Sequence, residues 1–146
     1  MNQIIPNLYL GAHSTSSRLR KYGIKYIINF AKKSYDGRRI HFPLHDGKNE
    51  LDKMIEAMNL IEKYMIKKDG LVYVHCAAGR SRSPIIVALY LIKIRYCKNL
   101  RIALKYIRTK RKSINPNIRI LDCAKQAEKQ LLLNLSSPTK NGGTAE

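Results

Sequence analysis

One cysteine in this sequence is surrounded by residues that suit the chemistry of phosphate esters. Cys76 lies in the segment 74–84, six residues before Arg82, and Ser83 follows the arginine directly. A cysteine thiolate is a strong nucleophile, and an arginine guanidinium binds phosphate oxygens in a bidentate fork. The spacing therefore predicts a site in which the nucleophile and the anion-binding group face the same phosphate.

The residues on either side of Cys76 predict a loop that joins a strand to a helix. An apolar, β-branched run at Leu71–Val74 is typical of a buried parallel strand, and Pro84 marks the start of a helix. In such a loop the backbone N–H groups point inward and the helix dipole adds positive charge, so both attract a dianion and lower the pKa of the cysteine. The predicted phosphate-binding positions are Ala77, Ala78, Gly79, Arg80, Ser81 and Arg82.

The pattern His75-Cys76, five residues, Arg82-Ser83 resembles the signature of the cysteine-dependent protein phosphatases. Over roughly residues 4–133 the chain is similar to the small atypical members of their dual-specificity group. The resemblance implies that Cys76 attacks phosphorus to form a cysteinyl-phosphate, that Arg82 holds the equatorial oxygens, and that Ser83 hydrogen-bonds the departing thiolate. It implies no metal ion and no cofactor.

Cleavage of a phosphate ester also needs a general acid, because the leaving oxygen must receive a proton in the transition state. Four aspartates precede the loop, and three are less suitable: Asp69 lies at the start of the strand, Asp52 in a helical pattern, and Asp36 in a surface turn. Asp46 remains as the candidate. It follows the apolar segment 40–44, which resembles the segment that carries the mobile general acid in the family.

Two further residues are predicted to support the loop. His75 precedes the nucleophile, and the resemblance implies that it orients the loop and tunes Cys76 rather than transferring protons. Asn29 matches an asparagine that ends a central strand in these phosphatases, and we expect it to brace the loop. Cys97 and Cys123 fall in helical patterns and are interpreted as core or boundary residues, with a redox role left open.

The remaining pattern predicts an α/β fold in which a central, mostly parallel mixed sheet is flanked by helices, the fold that the resemblance to dual-specificity phosphatases implies. Residues 1–134 are expected to form one catalytic domain, and residues 135–146, which lack an apolar period, a disordered tail. The predicted strands are Ile4–Leu10, Ile24–Phe30, Arg39–Leu44 and Leu71–Val74. The first three predicted helices are a short one within Gly11–Tyr22, one from Leu51 to the segment 67–70, and one that begins at Pro84. Two more are predicted at about 100–112 and 118–134, after asparagine N-caps at 99 and 115–117.

The chain is strongly basic, with 28 Lys and Arg residues against 10 Asp and Glu residues and a net charge of +18. No acidic residue lies between Asp69 and Asp122, a stretch that contains the whole phosphate loop. Such charge steers anionic substrates toward the site. Six residues of this stretch form a basic cluster that is either part of this field or a solvated helix face: Arg101, Lys105, Arg108, Lys110, Arg111 and Lys112.

These observations favour an enzyme that hydrolyses phosphotyrosine and phosphoserine or phosphothreonine in proteins. Two alternatives from the same superfamily stay open, an RNA 5′-triphosphatase and a phosphoinositide phosphatase, so phosphoproteins, RNA and phosphoinositides are the candidate partners. Arg80 lies where lipid-directed relatives carry a basic residue, but Ala77 departs from the lipid pattern, and Ala78 and Ser81 depart from the RNA pattern. A module that binds phosphate without turnover is a third alternative. The preferred phosphorylated residue and the oligomeric state stay open.

Composition also bears on where the protein acts. No apolar run approaches the roughly 18 residues of a membrane span, and the first residues lack the pattern of a secretory leader. The three cysteines are widely spaced and lack metal-ligand spacing, and a thiolate nucleophile needs a reducing environment. We therefore expect a soluble protein of the cytoplasm or nucleus.

Overall fold

The computed structural model describes residues 1–136 and contains a five-stranded sheet with helices on both faces. The strands are β1 (Asn2–Ile5), β2 (Leu8–Gly11), β3 (Ile24–Asn29), β4 (Ile40–His41) and β5 (Leu71–His75), in the spatial order β1-β2-β5-β3-β4. Only the β1–β2 pair is antiparallel. The sheet is thus mixed and mostly parallel, and the predicted fold class is confirmed.

Strand β5 lies at the centre of the sheet and carries the predicted site at its carboxyl end. Its residue Val74 pairs with Leu10 of β2 on one side and with Ile28 of β3 on the other. Side chains from residue 72 to residue 75 are buried, as expected for a parallel strand covered on both faces. Because parallel strands end at the same edge, the segments after β2, β3 and β5 all meet where Cys76 begins the loop.

The helices are α1 (Ser16–Tyr22), α2 (Leu51–Met65), α3 (Arg82–Lys93), α4 (Leu100–Lys110) and α5 (Ile118–Ser136). Helix α3, which follows the phosphate loop, is buried along Ser83–Ile92 and packs against α2, α4 and α5 on one face of the sheet. A smaller cluster of Leu19, Ile24, Ile27 and Tyr73 joins α1 to the other face. The phosphate loop is therefore fixed at both ends, by the central strand and by the most buried helix.

Two predicted helix caps have the expected geometry. The Asn99 side chain accepts a hydrogen bond from the backbone N–H of Ile102 at 2.9 Å, at the start of α4. The Asn117 side chain likewise accepts from the N–H of Arg119 at 2.8 Å, at the start of α5. These bonds satisfy N–H groups that have no partner within the helix.

Two predicted strands were wrong in extent. The segment Ile4–Leu10 is not one strand, because the chain turns at Asn7, where φ is +71°, and forms the antiparallel pair β1–β2. Proline and asparagine at such positions favour a turn. Of the segment Arg39–Leu44 only Ile40–His41 pairs as a strand, since Pro43 has no N–H to donate to a ladder.

Two predicted helix ends were also displaced. Helix α4 ends at Lys110 rather than near residue 112, because Arg111 adopts an extended conformation. Helix α5 continues to Ser136 rather than to about 134, since Leu135 packs against the core and its carbonyl accepts from Arg95 Nη2 at 3.1 Å. Residues 135 and 136 of the predicted tail are therefore helical, and residues 137–146 lie outside the described residues.

Candidate active site

Cys76 follows β5 directly and is 2% exposed. Its Sγ lies 3.3 Å from Ser83 Oγ, the hydroxyl at the start of α3. Burial by itself raises the pKa of the Cys76 thiol, but hydrogen bonds from the Ser83 hydroxyl and from the backbone N–H groups of Ser83 and Gly79, together with the charge of Arg82, bring the pKa below its ordinary value. The surroundings of the sulfur therefore favour the thiolate, which is the nucleophilic form.

The phosphate loop is held from outside through its carbonyl groups. The carbonyl of residue 77 accepts from the His13 N–H at 2.9 Å, and that of residue 80 accepts from the Asn115 N–H at 2.6 Å. The carbonyls of residues 78 and 79 accept from Nη2 and Nε of Arg111 at 3.0 and 2.9 Å. With its carbonyl groups turned outward, the loop presents its N–H groups to the centre, where they can bind an anion.

Gly79 lets the loop pack directly on the end of β2. Its φ is +67°, and a Cβ at this position would lie 2.3 Å from the carbonyl oxygen of Gly11. Gly11 is itself confined, since a Cβ there would lie 2.2 Å from the hydroxyl of Tyr73, which donates to the carbonyl of Ala12. Glycine is thus required at both positions by contact and at position 79 also by backbone conformation.

His75 is fully buried and its hydrogen bonds fix its tautomer. Arg39 Nη1 lies 2.9 Å from His75 Nε2, and since arginine only donates, Nε2 is the acceptor. The proton therefore sits on Nδ1, which donates to the Cys76 carbonyl at 2.7 Å. Burial lowers the pKa of His75 to about 4, and the nearby positive charge of Arg39 adds to this effect. The imidazole is neutral at physiological pH and orients the backbone of the nucleophile.

Sequence reasoning missed the residues that hold His75. The Arg39 side chain is 1% exposed, bonds the Ser14 carbonyl, and lies 3.5 Å from the carboxylate of Asp36. The Ser16 hydroxyl in turn donates one bifurcated hydrogen bond to the Asp36 carboxylate, with Oγ 2.6 and 2.8 Å from its two oxygens, and this bond is the main cause of the lowered pKa of Asp36. Asp36, interpreted as a surface turn residue, is thus an anchor for the arginine behind the loop. The only signal for this in the sequence was the acid–base pair at positions 36 and 39.

Asp46 lies in the same pocket as Cys76. The pocket has a volume of about 350 Å³, and it is also lined by Ala77, Ala78, Arg80, Ser81, Arg82 and Asn115. Asp46 Oδ1 accepts a hydrogen bond from Ser81 Oγ at 2.5 Å, and the same hydroxyl accepts from the N–H of Asn117 at 2.8 Å. The carboxyl group is thereby held over the pocket by the loop and by the start of α5.

The two arginines of the loop have different surroundings. Arg82 Nη1 donates to the Leu44 carbonyl at 3.3 Å, and its Nε is buried with no partner among residues 1–136. A buried, unpaired donor on a cation beside the nucleophile suits an anionic substrate group. Arg80 is exposed, and its Nε donates to the Ser113 carbonyl at 3.2 Å. Arg80 therefore stands at the mouth of the pocket rather than inside it.

Asn29 braces a different loop from the one predicted. Its Nδ2 donates to the carbonyl of Lys33 at 2.7 Å, and its Oδ1 accepts from the N–H of Ala31 at 2.8 Å. These bonds shape the segment after β3, and the phosphate loop receives no side-chain bond from Asn29. The backbone beside Asn29 instead holds the end of β5, since the N–H of Phe30 donates to the carbonyl of His75, the residue before Cys76, at 2.8 Å.

The predicted basic cluster is divided in the structure. Arg101, Lys105 and Arg108 are exposed on α4, whereas Arg111 has left the helix and clamps the phosphate loop. Arg111 Nη1 also donates to Asn2 Oδ1 at 3.0 Å, so the guanidinium ties the loop to β1. A residue interpreted as part of a charged surface is therefore a structural part of the site.

The other two cysteines lie away from the pocket and are buried free thiols. Burial raises the pKa of Cys97, so this thiol is held in its less reactive form. Cys123 Sγ accepts from the backbone N–H of Asn49 at 3.3 Å. Among residues 1–136 there is no group of three or more His, Cys, Asp and Glu side chains that could hold a metal ion, and no helix long and apolar enough to cross a membrane.

Comparison with known proteins places the chain among phosphatase domains. The family model of the dual specificity phosphatase catalytic domain matches residues 8–130. The chain is 33% identical over 156 residues to human dual specificity protein phosphatase 7, covering 99% of this chain and 36% of that protein, and 32% identical over 143 residues to human dual specificity protein phosphatase 9, covering 90% and 37%. It thus spans little more than a third of the length of these relatives.

Solved structures share the fold. The crystal structure of human DUSP28 superposes with a TM-score of 0.77 at 20% identity, covering 92% of this chain and 99% of that chain. PTPMT1 in complex with PI(5)P gives a TM-score of 0.78 at 21% identity, covering 92% and 97%. These likenesses concern the arrangement of strands and helices.

Proposed function

The chain belongs to the dual specificity phosphatase catalytic domain family, and on this premise we propose that it hydrolyses phosphotyrosine and phosphoserine or phosphothreonine in proteins. The observation that carries the proposal is the shared pocket, which is lined by a cysteine with a lowered pKa, by Asp46 and by residues of the phosphate loop. Nucleophile, anion site and proton donor are thus within one cavity. A reducing intracellular compartment is part of the proposal, because the thiolate must stay reduced.

The chemistry divides into two displacements at phosphorus. Cys76 Sγ attacks in line while Arg82 and the loop N–H groups hold the equatorial oxygens, and Asp46 protonates the leaving oxygen. The S–P bond forms as the P–O bond breaks, which leaves a cysteinyl-phosphate. Asp46, now ionised, removes a proton from water as the water attacks phosphorus. The S–P bond then breaks, and the Ser83 hydroxyl, 3.3 Å from the sulfur, stabilises the departing thiolate.

Hydrolysis of a small aryl phosphate and of singly phosphorylated peptides tests the proposal. The Cys76→Ser variant is expected to lose turnover entirely, whereas Cys123→Ser, which removes a thiol outside the pocket, keeps it. Asp46→Asn is expected to lose about a hundredfold or more in kcat, the usual contribution of a general acid. A wild-type protein that binds phosphopeptide without hydrolysing it would instead support a phosphate-binding module.

A phosphoinositide is the second candidate substrate. One observation favours it: Arg80 is exposed at the mouth of the pocket, and within residues 1–136 its side chain is bonded only through Nε, which leaves its terminal nitrogens available to a second phosphate. The likeness to PTPMT1 in complex with PI(5)P is compatible with this reading at the level of the fold. Turnover of a phosphorylated inositol headgroup at a kcat/KM above that of every phosphopeptide tried would make it the first candidate.

A further inference from the structure

Two helices end on the side of the molecule opposite the phosphate loop. Strand β5 carries the loop at its carboxyl end, so the segment 66–70, which joins α2 to β5, lies at the other end of the strand. Helix α3 leads away from the loop for 12 residues, about 18 Å, and the segment 94–98 follows it. Lys93 Nζ, at the end of α3, lies 2.6 Å from Glu62 Oε1, in the last turn of α2. The segments that follow α2 and α3 are therefore neighbours, far from the catalytic pocket.

These two segments expose aliphatic side chains beside cations. Ile66 is 67% exposed and Ile94 is 38% exposed, although isoleucine is among the residue types that are most often buried. The basic residues of both segments are exposed as well. We call the surface formed by these side chains the basal face, and its members are Ile66, Lys67, Lys68, Ile94, Arg95 and Lys98.

The carboxylates near the basal face already have partners. Glu62 is bonded to Lys93, and Asp69 lies 2.9 Å from Lys25 Nζ. Glu128 accepts a hydrogen bond from the backbone N–H at the start of α4 at 2.6 Å. Within residues 1–136 the three lysines of the basal face make no side-chain hydrogen bond or ion pair, so their charge is not compensated by the protein.

Two cations of the basal face occupy backbone positions that favour glycine. The φ angle of Lys68 is +53° and that of Arg95 is +62°. A left-handed conformation costs energy in a residue with a Cβ, whereas glycine adopts it freely. Arg95 also donates from Nη2 to the carbonyl of Leu135 at 3.1 Å, which holds its side chain against the end of α5. A basic residue at both turns in spite of this cost indicates that the charge has a function.

We propose that the basal face binds the surface of an anionic lipid bilayer, with Ile66 and Ile94 inserted among the headgroups and the cations against the lipid phosphates. A bilayer interface takes aliphatic side chains and cations together, because long Lys and Arg side chains reach from the apolar boundary to the charged headgroups. A nucleic acid backbone would match the charge but offers no aliphatic surroundings for the two isoleucines. Each cation near such a membrane strengthens binding about fivefold.

The orientation of the bound protein decides which molecules reach its pocket. Helix α3 separates the phosphate loop from the basal face by about 18 Å, so the pocket opens away from the bilayer. A protein held in this way meets phosphorylated segments of other proteins near the membrane, rather than the headgroups of the lipids to which it is bound. The inference adds a location to the proposed activity and does not depend on it, because binding is measured without turnover.

Co-sedimentation with lipid vesicles at physiological ionic strength tests the proposal. The wild type is expected to bind vesicles of phosphatidylcholine and phosphatidylserine about tenfold or more tightly than vesicles of phosphatidylcholine alone. A variant with Lys67→Gln, Lys68→Gln and Lys98→Gln is expected to bind the mixed vesicles about a hundredfold more weakly, at about fivefold for each cation. The matched control carries Lys32→Gln, Lys105→Gln and Lys112→Gln, which remove the same charge from exposed side chains outside the basal face. Its affinity is expected to stay within about threefold of the wild type.

A second pair of variants separates insertion into the bilayer from charge attraction. Ile66→Ser with Ile94→Ser leaves every charge in place and is expected to weaken binding to the mixed vesicles about tenfold. The control is Ile118→Ser, which removes an isoleucine that is 73% exposed at the start of α5, beside the catalytic pocket. This control is expected to bind like the wild type. All of these side chains are exposed, so the variants should have the melting temperature of the wild type.

Four results would overturn the proposal. Equal losses in the two lysine variants would mean general attraction of a basic protein, and undiminished binding of the Ile66 and Ile94 variant would mean that nothing inserts. Binding of polyglutamate through the three basal lysines, without binding of the vesicles, would mean an acidic protein partner. Release from the vesicles by inorganic phosphate, but not by chloride at the same ionic strength, would mean that the catalytic pocket faces the lipid. A protein that binds through the basal face but hydrolyses no phosphopeptide would refute only the proposed activity.

Discussion

Replacing His75 with glutamine should remove a large part of the pH dependence of stability. In the folded protein the pKa of His75 is lowered to about 4, whereas in the unfolded chain it is near its ordinary value of 6.5. Between these values the unfolded state binds a proton that the folded state does not. The free energy of unfolding therefore falls as the pH decreases from about 6.5 to about 4, and the loss is complete below the lower value.

The magnitude follows from the two pKa values. They differ by about 2.5 pH units, and at about 1.4 kcal/mol per unit the contribution of His75 is about 3 kcal/mol across this range. The ring is 0% exposed, so solvent screens little of this effect. Glutamine is the informative replacement, because its Oε1 can still accept from Arg39 while the side chain carries no proton that titrates.

Urea denaturation at pH values between 4.5 and 7 measures the effect. As the pH falls over this range, the free energy of unfolding of the wild type is expected to decrease by most of the roughly 3 kcal/mol contributed by His75. The decrease for the His75→Gln protein is expected to be smaller by that amount. Carboxyl groups such as Asp36 and Asp69, whose pKa values are lowered, contribute equally to both proteins and cancel in the difference. Parallel curves for the two proteins would refute the reasoning, because they would show that His75 titrates alike in the folded and unfolded states.

Three further substitutions probe the loop itself. Gly79→Ala places a Cβ 2.3 Å from the Gly11 carbonyl oxygen at a φ of +67°, so denaturation should show a loss of about 3 kcal/mol, and an unchanged midpoint would contradict the close packing. Arg111→Met removes both hydrogen bonds to the loop carbonyls and should lower kcat/KM for an aryl phosphate by about tenfold or more. Arg111→Lys should recover only part of this activity, because an ammonium group cannot donate from two fixed nitrogens as a guanidinium does. Ser83→Ala removes a hydrogen bond to the Cys76 sulfur, so kcat should fall by about tenfold to a hundredfold and the acid limb of the kcat/KM profile should move to higher pH. Rapid-quench detection of accumulated cysteinyl-phosphate checks the last prediction, and an unshifted acid limb would argue against it.

The parts of the site that lie close together in the sequence could be predicted from it. Cys76, Arg82 and Ser83 are in one strand–loop–helix segment, so local pattern alone places them around one point. Asp46 was selected by elimination among four aspartates and by the resemblance of its segment to the one that carries the general acid in the family, and the structure brings it into the same pocket as Cys76. The order of strands and helices could likewise be predicted from the spacing of apolar residues, because this spacing depends on which face of each element is buried.

The residues that support the site could not be found in this way. Arg111 reaches the loop carbonyls across 32 and 33 residues, and Arg39 reaches His75 across 36. Apart from the acid–base pair at positions 36 and 39, nothing in the sequence around these two arginines distinguishes them from solvated cations. The distinction depends on which loops lie beside each other at the sheet edge. The division of Ile4–Leu10 into two strands was missed for a different reason. Apolar residues lie on both sides of Asn7, so the pattern is that of one continuous strand, although the left-handed conformation of this single residue makes a turn.

The outward carbonyl groups of the phosphate loop imply that the loop is electrostatically frustrated when no anion is bound. Dipoles whose positive ends converge on one point repel each other, and the bonds from His13, Arg111 and Asn115 hold them in that arrangement. The work of orienting them is therefore done during folding, and little reorganisation remains when a phosphate arrives. An anion such as phosphate or vanadate should accordingly act as a ligand of the native state, raising the melting temperature in proportion to the logarithm of its concentration above Kd.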